Sequence, residues 1–387
     1  AAALYNKTIH QLTQESYLMA FKTPDLSNLP QYPLIVGSNM EKAGNGLKHA
    51  HIYPANGQVT TELQLANASD VDAAVAAARE AFPAWHHVPG DQKRNMLLKL
   101  ADLIDANTHE LARLEVIGCG SPAMVAAYIA PVVAQRFRYY AGWADKIKGE
   151  TLNAWNNPAH NYVNYEPYGV VGGIIPWNGP VFAAGMVLAP LLAAGNCAVI
   201  KAPELSPFSV MKLTELILEA GIPPGVVNMV AGGPDTGEAI VAHPGVDKIQ
   251  FVGSGATAKK VLSTAASTLK PCGLELGGKS AVIVFADADL PTAAKRGLGG
   301  AISVSGQGCV NGTRLLVERP IYEHYLGAMQ TIAGHIPLGD PTDNTTVMGP
   351  LISEASLNRV STLITNATSQ GARLILGGQR SEGEFAD

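Results

Sequence analysis

From residue 169 onward the chain alternates short apolar runs with glycine-bearing turns and longer amphipathic stretches. Apolar runs at 169–175, 198–201, 226–230, 248–252 and 281–285 predict strands. The stretches 181–194, 207–220, 235–242 and 256–266 predict the helices between them. Repeated βα units of this length predict an α/β fold built on a doubly wound parallel sheet, whose ligands sit beyond the carboxyl ends of the strands. Upstream, Val71, Ala74, Val75 and Ala78 recur at helical spacing and predict a helix over 69–84 capped by Ser69. Residues 91–107 read as a second amphipathic helix and about 124–143 as a third helical stretch. Residues 147–168 alternate weakly, are rich in Asn, Tyr and Thr, and predict a polar hairpin. Residues 1–32 read as an arm without the apolar core of a targeting signal.

Composition sharpens this picture. Charged residues make up 15% of the chain, against about 25% in an average domain. Residues 167–200, 34 in all, carry no charge, which is longer than a bilayer span requires. Pro176-Trp177-Asn178-Gly179-Pro180 interrupts the run, so it reads as a strand and a helix buried on both faces of an α/β core, with no membrane role. A net charge of −5 without a basic run gives no nucleic-acid surface. Four cysteines without close pairs read as free thiols in a reducing, cytoplasmic setting. No histidines stand at metal-ligand spacing, so no metal is expected.

Candidate chemistry lies at the strand ends. Gly253-Ser254-Gly255-Ala256-Thr257-Ala258 follows a strand, opens a helix and fits a phosphate-binding turn, although such turns are common. Lys201 and Glu204 end another strand, either as ribose contacts or as solvated loop charges. Cys119, Cys197 and Cys272 lie in apolar or Gly-rich surroundings and read as structural. Cys309 has small neighbours, Gly308 and Val310, and the access a nucleophile needs. Glu275 lies between Leu274 and Leu276; burial there would raise its pKa and suit it to general base catalysis. An ion pair with Lys279 is the alternative.

Together these pieces resemble the NAD(P)-dependent aldehyde dehydrogenases. The motifs are Ile175-Pro176-Trp177-Asn178, the 191–201 segment LLAAGNCAVIK, Phe251–Ser254, Glu275-Leu276-Gly277-Gly278-Lys279, Gly306-Gln307-Gly308-Cys309, and the segments 138–146 and 338–352. The resemblance implies a cofactor domain over 33–146 and 169–278, an oligomerisation hairpin over 147–168, and a catalytic domain over 279–387 that stops short of the family's usual end. It implies Cys309 as nucleophile, Asn178 as oxyanion donor and Glu275 as the base that activates water. Ile174, Pro176, Trp177, Lys201, Glu204, Gly232, Gly253, Ser254, Leu276 and Gly277 are the implied NAD contacts; Glu204 favours NAD over NADP. Gly179, Phe182, Ala183, Met186, Ser303, Gly308 and Val310 are the implied substrate wall. Gly179 replaces the family's usual aromatic, and Val187 a lysine tied to water handling. The small residues at 179 and 183 imply a wide apolar funnel for an aromatic or long-chain aldehyde. A homodimer or homotetramer is the implied assembly. Transfer of the thioester to coenzyme A, or cofactor binding without catalysis, are the alternatives.

Overall fold

The computed structural model describes residues 26, 28–41, 43–156 and 158–381. The arm expected over 1–32 lies largely outside the described residues. Strands β1 (Leu34–Val36) and β2 (Asn39–Glu41) form an antiparallel pair, as do β3 (Lys48–Ile52) and β4 (Val59–Gln64). Helices α1 (Ala68–His86), α2 (Gly90–Ala106), α3 (Thr108–Cys119) and α4 (Ala123–Ala141) follow. The cap of α1 is Asn67, not Ser69. The Asn67 side chain accepts from the Ser69 and Asp70 N–H groups, and the Asp70 carboxylate accepts from Asn67 N–H, a reciprocal capping box. Helix α3 has no counterpart in the sequence expectation. Its residues Leu111, Ala112, Leu114, Val116 and Ile117 are all buried, so it lacks the one-sided apolar stripe that marks a surface helix.

The expected hairpin is present as β5 (Glu150–Asn153) and β6 (His160–Val163), antiparallel and exposed. Then come β7 (Val170–Ile174), α5 (Pro180–Ala193), β8 (Cys197–Pro203), α6 (Phe208–Glu219), β9 (Val227–Gly232), α7 (Pro234–Ala242), β10 (Lys248–Gly253), α8 (Gly255–Ala266) and β11 (Cys272–Leu276). They build a seven-stranded sheet in the order β11-β10-β7-β8-β9-β1-β2. The first five strands are parallel, and β1 joins β9 antiparallel.

Every residue of β7, β8 and β9 is buried, which accounts for the long uncharged run. Among the described residues no helix is long and apolar enough to cross a membrane. Helix α5 packs so closely on α4 that a Cβ on Gly185 would lie 2.5 Å from Val133 Cγ1. Replacing Gly185 with alanine is expected to overpack this contact and cost about 2 kcal/mol, read as a lowered denaturation midpoint.

The remaining elements are β12 (Ala281–Val284), α9 (Leu290–Ile302), β13 (Arg314–Val317), α10 (Tyr322–Ala333) and α11 (Glu354–Ser369). β12 and β13 pair in parallel over a small core of their own around Val284, Ala294 and Tyr325.

Candidate active site

Sheet register brings the predicted residues to one edge. Ile174 pairs with Lys201 on one side and Phe251 on the other; Gly253 pairs with Leu276, and Pro203 with Gly232. The carboxyl ends of β11, β10, β7, β8 and β9 therefore stand side by side. They carry in turn Glu275 to Gly277, Gly253 and Ser254, Ile174 to Asn178, Lys201 to Glu204, and Gly232. At about 4.8 Å per strand, Glu275 and the end of β7 are roughly 10 Å apart.

Lys201 is no solvated loop charge. Its side chain is buried, with Nζ 3.1 Å from Glu204 Oε2 and donating to the Gly232 carbonyl. Burial lowers the Lys201 pKa and Glu204 opposes the shift. Two strands away, Ser254 caps α8, its Oγ accepting from Thr257 N–H at 3.2 Å. Gly255 and Ala256 are exposed at this helix start, where first-turn N–H groups have no partner within the helix. A Cβ on Gly255 or on Gly233 would meet open space. Ala258, which ends the glycine pattern, is buried and small enough to fit. A charged pair at one strand end and free N–H groups two strands away fit a dinucleotide's ribose and phosphates.

Cys309 closes an unusual loop. Val304, Ser305 and Gly306 have φ values of 54°, 52° and 75°, a left-handed run that is costly for a β-branched valine. Surrounding hydrogen bonds hold it. Gly349 N–H donates to Ser305 Oγ at 2.9 Å, and Ile352 N–H donates to Gln307 Oε1 at 3.1 Å. The Asn311 amide donates to the Ala301 and Ser303 carbonyls at 3.1 and 2.8 Å. Asn178 Nδ2 donates to the Gln307 carbonyl at 2.6 Å, so the turn after β7 touches the thiol loop directly. An amide nitrogen carries two hydrogens, leaving one for a developing oxyanion.

The four thiols differ as expected in access, with Cys272 less enclosed than the other two structural ones. Cys309 is exposed, Cys119 and Cys197 are buried, and Cys272 is half-buried. Burial pushes the Cys197 thiol up to about 12 and raises those of Cys119 and Cys272.

Two expectations are corrected. Glu275 and Leu276 are exposed, because β11 is the outer strand of the sheet and its carboxyl end is uncovered. The burial expected from its flanking leucines is therefore not present. Lys279 Nζ donates to the Gly278 carbonyl, and among the described residues it forms no ion pair with Glu275. Ala183 is 3% exposed and belongs to the main core instead of a substrate wall.

The other wall candidates are accessible. Phe182 is 38% exposed with the Arg136 guanidinium 5.1 Å from its ring. Ser303 and Val310 are exposed, and Gly179, Met186 and Gly308 half-buried. A Cβ on Gly308 would lie 2.3 Å from Asn311 Oδ1, so a larger residue there would have to displace the Asn311 side chain. Val187 is buried behind β7. Asn311 and Gly349 brace the loop; Gly349 lies in the 338–352 motif, but the sequence assigned neither residue a role. The glycines around them were the available signal, since small residues permit a close backbone approach.

The model of the aldehyde dehydrogenase family matches residues 42–387. This chain belongs to the aldehyde dehydrogenase family. Retinal dehydrogenase 2 of Homo sapiens is 38% identical, over 94% of this chain and 71% of its own length. An aldehyde dehydrogenase of Aspergillus niger is 38% identical over 91% of this chain and 72% of its own. The crystal structure of PnpE from Pseudomonas sp. WBC-3 is similar at a TM-score of 0.89 and 39% identity, covering 92% of this chain and 74% of that one. A second PnpE structure is a complex with nicotinamide adenine dinucleotide. Family membership makes the chain an NAD(P)-dependent oxidoreductase acting on aldehydes.

Proposed function

We propose that the chain oxidises a bulky aldehyde, aromatic or long-chain, to its carboxylic acid through Cys309. The observation that carries this reading is the contact between the Asn178 amide and the Gln307 carbonyl, which sets an amide donor against the loop that carries an exposed thiol. The Cys309 thiolate attacks the carbonyl carbon, and the carbonyl oxygen takes up the electron pair. The remaining Asn178 N–H and the Cys309 backbone N–H receive that oxyanion. The chemistry supplied by bound NAD(P) is acceptance of hydride. Ile174, Pro176, Trp177, Lys201, Glu204, Gly232, Gly253, Ser254, Leu276 and Gly277 are the residues that would hold it. Glu204 disfavours a 2′-phosphate and so selects NAD. Glu275 takes the proton of the water that attacks the resulting Cys309 thioester, and the thiolate leaves. Residues 279–387 supply the thiol and so form the catalytic part.

Size selectivity rests on what is missing from the wall. Gly179 adds no side chain, Ala183 is withdrawn into the core, and Phe182 and Met186 remain on the open side. The value of kcat/KM should be at least about tenfold higher for 2-naphthaldehyde than for acetaldehyde, with hexanal between them. A preference for acetaldehyde would overturn the substrate reading and leave the thiol chemistry intact. For assembly, the β5–β6 hairpin exposes Leu152, Tyr162 and Val163, with Trp155 in its turn 90% exposed. That apolar display suits pairing with a second copy as a dimer or tetramer.

A further inference from the structure

Helix α3 carries a carboxylate that the chemistry above does not use. Glu115 is 1% exposed. Its Oε1 accepts from Ser209 Oγ on α6 at 2.7 Å and from Val181 N–H at 3.1 Å. Val181 is the second residue of α5, and its N–H is one of those the helix cannot satisfy itself. Asn178 stands three residues before it. We propose that Glu115 is a positioning residue for Asn178: by fixing the first turn of α5, its buried carboxyl group aims the Asn178 amide at the Cys309 loop.

The end of the same helix also reaches the other half of the site. Gly120 caps α3 with φ +68°, and a Cβ there would lie 2.8 Å from Pro350 Cγ. Gly349 is packed as tightly from the other side, a Cβ on it falling 2.7 Å from the Gly120 carbonyl oxygen. Gly349 and Ile352 are the backbone donors that hold Ser305 and Gln307. One helix end thus registers both partners of the Asn178–Gln307 contact. Burial pushes the Glu115 carboxyl up to about 7, with the hydrogen bonds from Ser209, Val181 and Cys119 opposing. A glutamine resembles the protonated acid and keeps an acceptor oxygen for Val181 and Ser209.

The proposal rests on the thiol mechanism above, and p-nitrophenyl acetate tests it without hydride transfer. The Cys309 thiolate attacks the ester carbonyl, a C–S bond forms, the C–O bond breaks and nitrophenolate leaves; an oxyanion develops on the way. Iodoacetamide alkylates the same thiol by displacing iodide, with no oxyanion.

Glu115→Leu is expected to slow acylation at least about tenfold, since small misplacements of a catalytic group carry large rate costs. Glu115→Gln should stay within about threefold, and alkylation should stay within about twofold in both variants. Asn178→Ala should slow acylation by about 10²-fold, and adding Glu115→Leu to it should slow acylation no further. A helix cap with only a structural role would lower the melting temperature without that non-additivity.

The proposal is overturned if Glu115→Leu leaves acylation unchanged, or if its effect multiplies with that of Asn178→Ala. Should Glu115→Leu not fold, Ser209→Ala removes a donor to the same oxygen. It should slow acylation in the parent and not in the Asn178→Ala background; an equal effect in both overturns the proposal. If Asn178→Ala itself leaves acylation unchanged, the oxyanion role of Asn178 fails and this proposal with it.

Discussion

Cys309→Ala is expected to lower aldehyde-dependent NADH formation by at least about 10⁴-fold, because it removes the sulfur that forms the covalent adduct. The thiol is exposed at the end of a loop braced from Gly349, Ile352 and Asn178. Removing its sulfur therefore creates no core cavity, and the melting temperature should move little. Cys119 and Cys197 are buried with raised pKa values, so they cannot substitute as thiolates. Cys272 is half-buried on β11, and burial raises its pKa as well. Iodoacetamide uptake should fall by close to one equivalent in the variant, which identifies the fast-reacting thiol independently of turnover. Equal NADH formation by Cys309→Ala and the parent would remove the thiol from the mechanism and leave only cofactor binding.

What was legible in the sequence follows from which physical signals are local. Strands β7 to β10 announce themselves because buried parallel strands are apolar on both faces and their turns are glycine-bearing. The strand ends then inherit their places from topology, which is why Lys201, Glu204, Gly253 and Asn178 share an edge. Glu275 shows where local reading stops. Flanking leucines suggest burial, but whether a strand is central or outermost depends on pairing order, and β11 is outermost. Ala183 fails for the same kind of reason: on α5, apolar on nearly all sides, composition does not say which way a methyl faces. The thiol loop is illegible for another reason. A left-handed Val304 runs against its intrinsic preference and is imposed by contacts from residues 349–352, over 40 positions away. Glu115 was hidden because α3 itself lacks a readable stripe.

Glu275→Gln is expected to separate the two halves of the reaction. Acylation of Cys309 needs no base at position 275, so each active subunit should release about one NADH rapidly. Steady-state turnover should then drop by about 10³-fold, the range of a lost general base. Intact mass should show the protein carrying one acyl group. The exposure of Glu275 does not weaken this expectation, because a base must reach water and the thioester, and it need not be buried to do so. The effect should be large here for a reason particular to this chain. Val187, at the position where the resemblance implies a lysine tied to water handling, is buried in the core and offers no side-chain proton donor or acceptor, so fewer groups can share the task. A parent-like steady state in Glu275→Gln would place the base elsewhere. Loss of the burst together with turnover would instead assign Glu275 to formation of the thioester.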